Sequence, residues 1–154
     1  MQVSVTVQVD APPEQVWALV SDVTKIGRYS PETFEAVWVE PATGPAVGAK
    51  FRGHVKRNGW GPTYWTTCTV LVCEPGREFT FGVGNGDEPL SWWGYTLEPN
   101  DGGTAVTESF RLAPTWPLRL YWTLFGWSRG RTNRNDMRTT LERIKTEVEA
   151  PKSP

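Results

Sequence analysis

Two turn signals flanking one run constrain this chain more than any other feature. The run is 63–74 (TYWTTCTVLVCE), with Asn58–Gly61 before it and Pro75-Gly76 after it. Asn, Gly and Pro between runs of β-branched and aromatic residues mark hairpins. Folding about 58–61 sets Val55 opposite Tyr64, Gly53 opposite Thr66 and Phe51 opposite Cys68. Folding about Pro75-Gly76 sets Val72 opposite Phe79, Val70 opposite Phe81 and Cys68 opposite Val83. Both registers gather the apolar side chains on one face. Lys50, Arg52, His54 and Lys56 are left on the other, with Trp65, Thr67 and Thr69. A one-residue slip would move every side chain to the wrong face. The agreement of the two hairpins predicts one curved antiparallel sheet with a single apolar side.

The remaining elements extend this sheet and cover it. Further β-like runs fall at 34–40, 48–57, 77–85, 90–98 and 104–112, separated by Gly-, Pro- and Asn-rich turns. Val3, Val5, Val7 and Val9 alternate with Gln2, Ser4, Thr6 and Gln8, the pattern of a half-buried strand. Asp10 precedes Ala11-Pro12-Pro13-Glu14, a helix start with proline in the first turn. Val16, Trp17, Leu19 and Val20 make that helix amphipathic, and Ser21-Asp22 starts a second short helix ending near Gly27. Residues 116–127 (WPLRLYWTLFGW) are apolar nearly all round. From Ser128 to Glu149 a helical stripe runs through Gly130, Asn133, Met137, Leu141, Ile144 and Val148. The predicted class is α+β. A seven-stranded curved antiparallel sheet carries two short helices after its first strand, and a long C-terminal helix lies over its apolar face. Residues 1–150 form one domain in this reading, and 151–154 a disordered tail.

Composition narrows the function. The 154 residues carry a net charge of −1, so no global basic field favours nucleic acid. Nine tryptophans exclude a disordered chain. No apolar run is long enough for a transmembrane helix, and MQVSVTVQVD lacks the basic-then-apolar plan of a signal peptide. His54 is the only histidine, so a histidine triad or a multi-histidine metal site has nothing to build on. Cys68 and Cys73 lie in one strand, about 16 Å apart, beyond disulfide reach. They read as free thiols of a reducing compartment, the cytoplasm. Gly82, Gly84 and Gly86 sit at strand spacing and open no helix, so they form no phosphate loop. No metal or cofactor is expected.

With these elements in order, the chain resembles the helix-grip fold of the START and birch-pollen-allergen-like superfamily. It is most similar to the bacterial polyketide cyclase/dehydrase-like (SRPBCC) members. The stretches that carry the likeness are VTVQVDAPPEQVWALVSDVTKIGRYSPE, WGYTLEPNDGGTAVTESF and MRTTLERIKTEVE. The resemblance implies a cavity between sheet and long helix that holds an apolar small molecule. It implies no single activity, since the family includes cyclases, dehydratases, hydrolases, carriers and regulators.

The strand registers turn Phe51, Val55, Tyr64, Val70, Phe81 and Val83 inward; alternation adds Trp93, Tyr95 and Phe110, while the flanking loops leave open which face of 90–98 and 104–112 is inward. Asn133, Met137 and Leu141 face them from the helix. Such a face builds either a filled core or a ligand cavity. Gly53, Thr66 and Gly130 are small where a filled core favours Leu or Ile, which argues for space. Glu108 lies between Val106 and Phe110 and shares their face. If that face is inward, burial raises its pKa and suits it to acid–base work. Otherwise it meets solvent, or is held by Arg111 or a tyrosine. His54 alternates with charged residues and reads as a solvent-face histidine. Trp122, Phe125 and Trp127 lie in a segment apolar on every side, and Arg119 and Arg129 flank it. The segment packs into the core, or serves as a lid, a homodimer contact or a peripheral membrane patch. Three functions follow: binding or carriage of a hydrophobic or aromatic, lipid- or polyketide-like ligand; a cyclase/dehydratase-type enzyme with Glu108 as acid or base; and a regulatory or membrane-peripheral module.

Overall fold

The computed structural model describes residues 1–59, 61–85 and 87–151, the side chains at 58, 118, 121, 122, 125, 127 and 129 excepted. Residues 152–154, most of the predicted tail, lie outside it. The strands are β1 (Gln2–Val9), β2 (Thr33–Trp38), β3 (Lys50–Lys56), β4 (Thr63–Glu74), β5 (Glu78–Val83), β6 (Ser91–Asn100) and β7 (Gly103–Leu112). The helices are α1 (Pro13–Val20) and α2 (Trp116–Glu149), with a 3₁₀ helix at Val23–Arg28. The sheet runs β1-β7-β6-β5-β4-β3-β2, every neighbouring pair antiparallel. This is the predicted helix-grip architecture.

Each helix starts where local chemistry allows. A proline in its first turn supplies the fixed φ at the head of α1. The Asp22 carboxylate accepts from the Thr24 N–H at 3.2 Å and so caps the 3₁₀ helix. The chain then crosses from one sheet edge (β1) to the other (β2), while α2 packs against β1, β7 and α1.

The β3–β4 hairpin has the predicted register: Val55 faces Tyr64, Gly53 faces Thr66 and Phe51 faces Cys68. The β4–β5 hairpin departs from prediction at its tip. Val72 pairs with Thr80, and Phe79 pairs with Cys73. The turn holds three residues between Glu74 and Glu78, with Gly76 at φ +73°, a conformation glycine adopts without a Cβ penalty. That extra residue shifts the register by one. A β-bulge between Val70 and Val72 shifts it back, restoring Val70–Phe81 and Cys68–Val83. Phe79 is thereby turned fully into the core.

Helix α2 is one continuous element of 34 residues, about 51 Å long. Its C-terminal half buries Met137, Thr140, Leu141 and Ile144 against the sheet. Its N-terminal half does not form a packed lead-in at the positions described: Trp116, Leu120 and Leu124 are 77%, 49% and 62% exposed. Trp122, Phe125 and Trp127 lie outside the described side chains.

Candidate functional site

Strand pairing assembles the site row by row across the concave face. One row is Val5, Glu108, Tyr95 and Phe79; the next is Val3, Phe110, Trp93, Phe81 and Val70. The inward faces of β6 and β7, which sequence left open, are therefore those of Trp93, Tyr95, Val106, Glu108 and Phe110. A cavity of about 210 Å³ lies between these rows and α2. Its lining includes Phe51, Val55, Tyr64, Phe81, Val83, Trp93, Tyr95, Glu108 and Phe110 from the sheet, with Asn133 and Met137 from the helix.

Three expectations are corrected. Val70 and Leu141 do not line the cavity; both are buried in the core, at 1% and 0% exposure. Val70 is covered beside Phe81, and from Leu141 onward α2 closes directly onto the sheet. Gly130 is not in the lining, and a Cβ there would meet nothing within 4 Å. Gly53 and Thr66, the other two small residues, do line the cavity.

Sequence reasoning missed a second group of lining residues. Ile26, Ser30, Pro31, Glu32 and Thr33 come from the 3₁₀ helix and the segment entering β2. Arg57, Ser91, Asp136 and Thr140 add further polar groups. The Tyr29-Ser30-Pro31 stretch was the available signal, but loop side chains carry no periodicity that shows which way they point. Exposed Tyr64 and Arg57 mark where the lining reaches solvent.

Glu108 is the chemical focus. It is 4% exposed, and its Oε1 accepts from the Tyr95 hydroxyl at 3.1 Å. Its Oε2 is buried with no hydrogen-bond partner among the described residues. Burial raises its pKa to about 8; the Tyr95 hydrogen bond opposes the rise and Asp136 adds to it. Burial and the nearby Glu108 charge also hold the Tyr95 and Tyr29 phenols well above their ordinary range. Tyr29 is itself fully buried and meets Tyr95 edge-on, at 6.4 Å between centroids. A neutral carboxyl at pH 7 that can both give and take a proton is thus set into a largely aromatic wall.

Of the other singled-out residues, Cys68 also lines the cavity and His54 does not. His54 lies on the outer face, stacked on Trp65 at 4.2 Å, with Nδ1 3.3 Å from a Glu35 carboxylate oxygen. Cys68 and Cys73 are free, and burial pushes the Cys68 thiol up to about 12, which leaves it protonated and unreactive at neutral pH.

Fold and site together define a helix-grip protein of the SRPBCC superfamily, with a cavity held between a curved sheet and a long helix. The chain belongs to the family described as polyketide cyclase / dehydrase and lipid transport, whose model matches residues 1–149. The solution structure of Cgl2372, a Polyketide_cyc-like protein from Corynebacterium glutamicum, is similar at 31% identity and TM-score 0.58, covering 97% of this chain and 89% of that one. Two further structures share the fold. MLL2253 from Mesorhizobium loti is 19% identical, with TM-score 0.63 and coverage of 99% and 100%. An AHSA1-like protein from Aeromonas hydrophila is 20% identical, with TM-score 0.60 and coverage of 100% and 99%. No curated protein matches the chain. Among the described residues no helix is long and apolar enough to cross a membrane.

Proposed function

We propose that this protein binds a compact hydrophobic or aromatic molecule in the cavity between the sheet and α2, without chemistry of its own. The observation that carries this reading is the 210 Å³ space walled by Phe51, Phe81, Trp93 and Phe110. An apolar cavity of about 150 Å³ holds benzene, so this one suits a single ring with a short substituent. Two free thiols support a reducing compartment, the cytoplasm, as its setting.

Filling the space tests the reading. Thr66 lines the cavity opposite Gly53 and is only partly buried, so a larger side chain there grows into the void. Thr66→Phe should weaken binding of benzyl alcohol, followed by calorimetry or by the tryptophan emission, at least tenfold while the thermal midpoint changes little. Unchanged affinity in a folded variant would place the ligand elsewhere.

Glu108 supports a second reading, a cyclase/dehydratase-type enzyme. A carboxyl neutral near pH 7 and held by Tyr95 is suited to moving a proton at a substrate carbon or oxygen. Loss of turnover in Glu108→Gln, with binding retained, would replace the carrier reading by this one.

The exposed row of Trp116, Leu120 and Leu124 supports peripheral contact with an anionic membrane surface, because Arg119 and Arg131 are exposed on the same stretch of helix. Changing all three apolar residues to Ser should abolish sedimentation with phosphatidylserine vesicles. A wild-type dimer that the same variant splits would assign the row to a second copy instead.

A further inference from the structure

We infer that Asn133 selects the ligand: its carboxamide, on α2, pairs with a neutral group that both accepts and donates hydrogen bonds, a carboxamide or a hydroxyl carried by the ring. This deepens the cavity reading and rests on it.

The first observation is how the buried polar side chains of the lining are used. Among the described residues those bearing oxygen or nitrogen are Tyr95, Glu108, Asn133 and Thr140. The Tyr95 hydroxyl donates to Glu108 at 3.1 Å. The Thr140 hydroxyl donates to the Asp136 backbone carbonyl at 2.9 Å. The Asn133 side chain, on a residue 9% exposed, has no hydrogen-bond partner among the described residues. Yet neither its oxygen nor its nitrogen is sealed away. The surface they keep faces the cavity that Asn133 lines.

The second observation is where this amide stands. Asn133 continues the helical stripe of Met137, Leu141, Ile144 and Val148, all of them apolar. It lies in the middle of the 34-residue helix, so it caps neither end. Asparagine is a weaker helix former than leucine or methionine. An apolar residue would serve the helix better at this position; the amide serves what fills the cavity.

The chemistry of the partner follows from the amide itself, which offers an acceptor oxygen and two N–H donors. A ketone or a carboxylate only accepts, and leaves the Asn133 oxygen covered and unpaired. An ammonium group only donates, and leaves the Asn133 N–H groups unpaired. Each group so left carries the cost of its lost hydration. A carboxamide or a hydroxyl satisfies both sides. A site that hydrogen-bonds its ligand rejects the analogue lacking one half of the pair more strongly than an apolar wall rejects a missing methylene.

The experiment uses benzamide, acetophenone and ethylbenzene, each a ring with a short substituent. Benzamide and acetophenone differ by an amino group in place of a methyl group, so of the two only benzamide donates. All three are titrated calorimetrically into the whole protein at pH 6, where Glu108, with its pKa of about 8, holds its proton. In Asn133→Leu the benzamide-to-acetophenone affinity ratio should fall about tenfold or more. Ethylbenzene should bind the variant no more weakly than it binds the wild type. Asn133→Ala, which removes the amide without adding bulk, should lower the ratio in the same way. Both variants are checked for folding by their thermal midpoints. An unchanged ratio in a folded variant that still binds ethylbenzene would overturn the inference and leave the cavity reading standing. Failure of both variants to fold would also overturn it, by assigning the amide to the fold. If none of the three probes binds the wild type, the cavity reading itself fails.

Discussion

Glu108→Gln should stabilise the protein at pH 8 and above and leave it nearly unchanged near pH 4. The folded-state pKa is about 8, raised from 4.5 mainly by burial. The unfolded chain ionises near the ordinary value. Below pH 4.5 both states hold the proton and the carboxyl costs nothing. Between pH 4.5 and 8 the folded state binds more protons than the unfolded state, so stability falls as pH rises. Above pH 8 the loss is complete. A shift of this size corresponds to about 5 kcal/mol at most, at about 1.4 kcal/mol per pH unit. Glutamine keeps an oxygen for the Tyr95 hydroxyl and has nothing to ionise. Urea unfolding of both proteins at pH 4, 6 and 8 should give curves that diverge with pH, the variant the more stable. Parallel curves would mean that Glu108 is hydrated in the folded protein.

Phe79→Ala should cost about 3–5 kcal/mol, the range for removing a buried aromatic ring. Phe79 is 0% exposed. It meets Trp17 of α1 edge-on at 6.1 Å and Phe81 at 6.1 Å, and it pairs across the sheet with Tyr95. Its ring therefore joins α1 to the sheet and backs the tyrosine that holds Glu108. The loss shows as a lower denaturant midpoint with an unchanged slope. A loss below about 1 kcal/mol would show that the surrounding side chains close over the space.

Much of this architecture was legible in the chain. Alternation in Gln2–Val9 and the two hairpins around 63–74 carry a period of two, which only a sheet with one apolar side satisfies. The stripe Asn133, Met137, Leu141, Ile144 and Val148 carries a period of 3.6, which fixed the covering helix. The tip of the β4–β5 hairpin was not legible. A three-residue turn and a bulge cancel one another beyond Val70, so the register farther along the hairpin gives no sign of either. The burial of Phe79 depends on both.

The cavity divides in the same way. Phe51, Val55, Tyr64, Phe81 and Val83 were placed by hairpin arithmetic, because a short turn dictates which residues face each other. Val70, placed by a hairpin, and Leu141, placed by the helical stripe, show the limit of both readings: a residue's face can be read from its period, but whether space or another side chain lies above it cannot.

What the sequence determined by itself is the order of elements, the apolar side of the sheet and the helix that covers it, since each follows from contacts between near neighbours in the chain. The tertiary structure alone decided that β6 and β7 turn Tyr95 and Glu108 inward. It alone set Asp136 and the Ser30–Thr33 segment against the same space and left one Glu108 oxygen without a hydrogen-bond partner among the described residues. Those relations join residues up to about a hundred positions apart, and only packing in three dimensions brings their charges and rings within reach of one another.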